Sequence, residues 1–166
     1  MTDLIQRIVN LTDQDAIESA NYVTYWMLDE VQCRGRLPEE ILNKITNNKD
    51  AIELLIELFP EQSISLQEAF LTEDIRQQGH VARRFLVVLA KRKQFAFKVL
   101  EALDKPRLLL EPLTTIAIAS GIVFFLSLEF EFEYENIEGK RKFRWRIHHK
   151  GTQTKAVTDL LGFLNK

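Results

Sequence analysis

Glu129-Phe130-Glu131-Phe132-Glu133-Tyr134-Glu135 alternates acid with aromatic at every step, and Lys142-Phe143-Arg144-Trp145-Arg146-Ile147-His148 alternates mostly base with apolar. In an extended chain successive side chains point to opposite faces, so each stretch predicts a strand. Asn136-Ile137-Glu138-Gly139 between them predicts the hairpin turn, at Gly139. One face would carry Phe130, Phe132, Tyr134, Phe143, Trp145 and Ile147, and the other would set acids against bases. Pairing Phe132 with Phe143 brings Glu131 to Arg144, Glu133 to Lys142 and Glu129 to Arg146, and a shift of two residues again matches acid with base.

Just upstream, Leu113 to Leu128 holds no charged residue. At 16 residues it is shorter than the roughly 20 a spanning helix needs, and a strand signal follows at once. It predicts a buried helix passing into a buried strand, with Ala117, Ala119, Ser120 and Gly121 allowing close approach to another element. Beyond the hairpin, Val157, Leu160, Leu161 and Leu164 form the stripe of an amphipathic terminal helix able to cover the aromatic face.

Residues 1–104 carry apolar side chains at helical spacing, with helical punctuation. Leu4, Ile5, Ile8 and Val9 predict a first helix, and Thr12-Asp13-Gln14-Asp15 caps a second one that Gly35 stops. Pro38 opens another helix, Asn47-Asn48 separates it from an apolar run ending at Pro60, and Ser65-Leu66-Gln67-Glu68 is a capping box. From Asp74 one long pattern runs inward through Ile75, Val81, Ala82, Phe85, Leu86, Leu89, Phe97, Leu100 and Leu103, with Gly79 as an interruption. Lys105-Pro106 and Glu111-Pro112 bracket a connector. The expected class is α+β: a bundle of about six helices (1–104), a connector (105–112), and a helix, antiparallel β-hairpin and terminal helix unit (113–166).

Composition bounds the function. With 166 residues, 46% of them hydrophobic, and a net charge of -2, the chain suits one ordinary core and no global attraction to nucleic acid. Cys33 is the single cysteine, which excludes an internal disulfide and points, with an N-terminus lacking a signal-peptide pattern, to the cytoplasm. His148 and His149 face opposite ways on a strand, and His80 and Cys33 lie far off in sequence, so no metal set forms locally. Dinucleotide, phosphate-loop, nucleophile-elbow and zinc-hydrolase motifs are all missing, so neither enzyme chemistry nor a cofactor nor a small-molecule substrate is expected.

Two basic clusters remain. Lys140 to Lys166 carries eight Lys or Arg against Asp159, but the acidic strand opposite would cancel most of that field. Arg83, Arg84, Lys91, Arg92 and Lys93 lie on the long helical pattern, where adjacent residues diverge by about 100°. Nucleic acid, or another acidic ligand, through Arg144, Arg146 and this cluster is therefore the alternative, and membrane association through 113–128 a third.

About six short helices, a proline-bounded connector, a small-residue apolar run, a charged hairpin and a terminal helix form an order that resembles death-fold-like adaptor bundles and small effector-associated components of bacterial conflict and caspase-like signalling systems. That resemblance implies a non-enzymatic adaptor that binds itself or an effector protein. The residues point the same way, because a hairpin with few strands of its own leaves edges another chain can extend. Phe130, Phe132, Phe143 and Trp145, with Glu131, Arg144 and Arg146 for charge matching, are the expected contacts.

Overall fold

Six helices carry the described core: α1 (Thr2–Val9), α2 (Asp13–Arg34), α3 (Asn48–Leu58), α4 (Ser63–Phe70), α5 (Ile75–Ala90) and α6 (Lys93–Asp104). They are taken from a computed structural model, which describes residues 2–34, 48–58, 63–70, 72–105, 121–122, 131–137 and 140–146.

The central helix is α2. Ala16, Ile17, Ser19, Ala20, Asn21, Val23, Thr24 and Met27 are all buried, and at about 100° per residue they cover more than half its circumference. Its nearest neighbour is α5, which buries Val81, Ala82, Phe85, Leu86 and Leu89. Ala16 and Ala20 on one side and Gly79 and Ala82 on the other are small, and small side chains let helix axes approach. A Cβ on Gly79 would lie 2.6 Å from the Asp13 Cα, so this crossing has no room for one. Gly79 is thus a contact point inside a continuous α5 and does not interrupt it.

Start signals behave as their chemistry requires. The Thr12 hydroxyl accepts from the Asp15 N–H at 3.2 Å, and the Asp74 carboxylate accepts from the Arg76 N–H at 2.9 Å. α4 begins at Ser63, so Ser65 lies inside a helix that starts two residues before the expected cap. Lys105 is extended (φ -71, ψ 134), as the residue before a proline should be. The helix expected to open at Pro38 lies outside the described residues.

One long helix from Asp74 was expected, and the chain forms two. Lys91 caps α5, Arg92 is extended (φ -104, ψ 118), and α6 starts afresh at Lys93 to pack on both α2 and α5. The restart turns the helix about its axis. Phe95 and Val99 face the core, and Phe97 and Leu100 do not.

The α+β class is corrected here. The described core comes from helical residues alone, because each apolar stripe that closes on another is helical. Among the described residues, 131–137 (β1) and 140–146 (β2) pair antiparallel as a two-stranded ladder, too small to build a layer of its own. Its register differs by two residues from the Phe132–Phe143 pairing, with Phe132 opposite Trp145, Tyr134 opposite Phe143, Glu131 opposite Arg146 and Glu133 opposite Arg144. The turn at Gly139, Phe130, and the apolar and terminal helices expected over 113–120 and 152–166 lie outside the described residues. Of the apolar run only 121–122 is described: it is helical, Ile122 joins the core at 2% exposure, and Gly121 sits against Thr24 and Phe85.

Candidate functional site

Tyr22 and Trp26 stand one turn apart on α2, and Lys98, Glu101 and Lys105 follow one another at three- and four-residue spacing along α6 and its cap. Both spacings stack side chains along one helix face, so the two rows meet where the helices pack. The Tyr22 hydroxyl donates to Glu101 Oε1 at 2.7 Å, and Lys98 Nζ reaches Oε2 at 2.7 Å. Lys105 donates to the Tyr22 hydroxyl and lies 3.0 Å from Glu101 Oε1. Both ammonium groups also sit over rings: Lys98 is 5.3 Å from the Tyr22 centroid and 5.4 Å from that of Trp26, and Lys105 is 4.4 Å from Tyr22.

This crowd of donors holds the Glu101 carboxyl down at about 2, through Lys98 first, then Tyr22 and Lys105. Desolvation opposes the charge on Lys98, but its bonds to Glu101 and Tyr22 prevail and raise it; Lys105 is raised by Tyr22 and then Glu101. All three groups therefore stay charged across the neutral range. Groups so far from neutrality are poor general acids, bases or nucleophiles, and the cluster acts as a set of fixed charges.

Beside it the surface is apolar. Trp26 packs edge-on to Phe95 and Phe97, with centroids at 6.4 and 5.6 Å. Phe95 is buried, yet Phe97 is 57% exposed, and Leu100 one turn on is 40% exposed. Tyr25, next to Trp26 on α2, is exposed as well.

Of the basic cluster read from the sequence, Arg83 is occupied structurally. It donates to the Leu11 carbonyl at 3.1 Å and to Asp13 at 2.7 Å, tying α5 to the start of α2. Arg84, Lys91 and Lys93 are exposed and Arg92 is half-buried at the α5–α6 turn, so the five cations do not share one helix stripe. Glu131, Phe132, Phe143, Arg144, Trp145 and Arg146 hold register positions on β1 and β2. His80 is largely exposed, and partial desolvation, then Arg84 and Arg83, lower its pKa. Among the described residues no three His, Cys, Asp or Glu gather as a metal set would require, and no helix is long and apolar enough to cross a membrane.

The α2–α6 face was missed in the sequence. Lys98, Glu101 and Lys105 do show helical pair spacing, but their link to Tyr22 spans 79 positions. Comparison of the whole chain with protein families, curated proteins and solved structures finds no match.

Proposed function

We propose that this protein is a non-enzymatic adaptor or regulator that binds a protein chain, either its own kind or an effector, through the α2–α6 face. The observation that carries this reading is Phe97. A phenylalanine left 57% exposed beside Trp26, with exposed Leu100 a turn away, is the aromatic centre that protein interfaces favour. Around it Tyr22, Lys98, Glu101 and Lys105 form a hydrogen-bonded polar border in which two ammonium groups share one carboxylate. Such a border keeps its charged groups hydrogen-bonded when a partner covers it.

Fixed charges far from neutral pKa support binding over catalysis. The occupation of Arg83 weakens the nucleic-acid alternative. Six helices among the described residues of 2–104 are in keeping with the resemblance to death-fold-like adaptor bundles.

A photo-crosslinking residue at Phe97, with one at exposed Ile75 as control, tests the proposal in cells that express the chain. A discrete protein adduct from position 97 and none from position 75 is expected. Equal, diffuse labelling from both positions would overturn the reading.

A further inference from the structure

We propose that α6 is the seam of a two-fold symmetric dimer, in which a second copy of this chain lays its own α6 antiparallel across the first. The proposal rests on the adaptor reading and names its partner.

The exposed residues Lys93, Phe97, Leu100 and Asp104 follow one another at intervals of four, three and four. That is the spacing of the apolar seam between two packed helices. At about 100° per residue the four positions lie on the side of α6 away from buried Phe95 and Val99. The row points outward, with two large apolar side chains at its centre.

The row is also self-complementary. Turning one α6 end for end about the point between Phe97 and Leu100 sets Phe97 of each copy against Leu100 of the other. The same turn sets Lys93 against Asp104 at both ends. A parallel arrangement would instead place Lys93 beside Lys93 and Asp104 beside Asp104. Two-fold symmetry is the operator under which one surface can match itself. Asp104 holds Arg7 at 2.5 Å through Oδ1, and a carboxylate has lone pairs enough for a second cation.

Length sets the strength. Twelve residues make a helix about 18 Å long, too short for the roughly 1,600 Å² of a standard interface unless flanking Tyr25 and Trp26 join it. The dimer is accordingly small in contact area and reversible.

Sedimentation equilibrium of the full chain, from about 1 µM to about 1 mM, tests this. The mass should rise toward twice that of the chain, and Phe97→Glu or Leu100→Glu should raise the dissociation constant by about tenfold or more. Lys93→Glu and Asp104→Lys each put like charges at both ends of the seam and should weaken self-association. Mixing the two variants restores both opposite pairs, so the mixture should dimerise where neither does alone; two damaged folds would not rescue each other. In a Trp145→Phe background, the emission of Trp26 should shift along the same concentration curve without any change in the seam.

A monomer throughout the range overturns the dimer. A dimer indifferent to Phe97→Glu and Leu100→Glu overturns the seam and leaves the adaptor reading standing, as does a position-97 crosslink solely to a different protein.

Discussion

Glu101 shows how one side chain can organise a surface. Its carboxylate takes bonds from Lys98, Tyr22 and Lys105, which together hold its pKa at about 2 against a starting value of 4.5. A carboxyl lowered on folding contributes stability that is fully present above its unfolded pKa and is lost as pH falls toward the folded one. Thermal unfolding of the wild type and of Glu101→Gln should therefore differ near neutral pH. The gap should close between about pH 4.5 and about 2. A gap constant down to acid would show that the Glu101 charge is not what its donors stabilise. At this scale the sequence was half legible: Lys98, Glu101 and Lys105 are neighbours by helical spacing, whereas Tyr22 reaches them only through the fold.

Among the elements, α5 and α6 carry the main lesson. Phe97, Leu100 and Leu103 continue the apolar phase of Phe85, Leu86 and Leu89, so an unbroken helix reads as having one inward face. No glycine or proline marks Ala90-Lys91-Arg92-Lys93, and the break there comes from tertiary packing, which seats α6 on both α2 and α5. Phase was lost at Arg92, and with it the exposure of Phe97. Cap chemistry at Thr12, by contrast, was readable because a side chain and a backbone N–H three residues on suffice to make it. Gly79 read as a weak point in a helix, and only the neighbouring helix shows its use. Gly to Ala inside a helix normally stabilises by about 0.5–1 kcal/mol. Here the new methyl would press on the Asp13 backbone, so Gly79→Ala should destabilise by about 1–3 kcal/mol in urea unfolding. A stabilised variant would show that α2 and α5 can separate at no cost.

For the whole molecule, the helical character of the described residues within 2–104 was legible from periodicity, and the α+β assignment was not upheld. Strict alternation over 129–135 and 142–148 points to strand-like backbone, but alternation is local and says nothing of whether a sheet layer joins the core. The described core is drawn from helices, and it reaches Ile122, 18 positions beyond the end of α6. Ile122→Ala should cost about 2–5 kcal/mol if that side chain is one of the common core, and urea unfolding should keep a single transition. A loss far below 1 kcal/mol would place Ile122 outside the cooperative unit.

The seat of Gly121 against Thr24 and Phe85, with Ile122 buried beside it in the sequence, also bears on the birth of the chain. A ribosome adds about 5–20 residues per second, so about 1–4 s pass between completion of α6 and the arrival of Ile122. During that interval the nascent helices can gather, but the wall beside Phe85 is still unbuilt. A chaperone that reads bare apolar surface has its opening then, and closing this part of the core waits on translation.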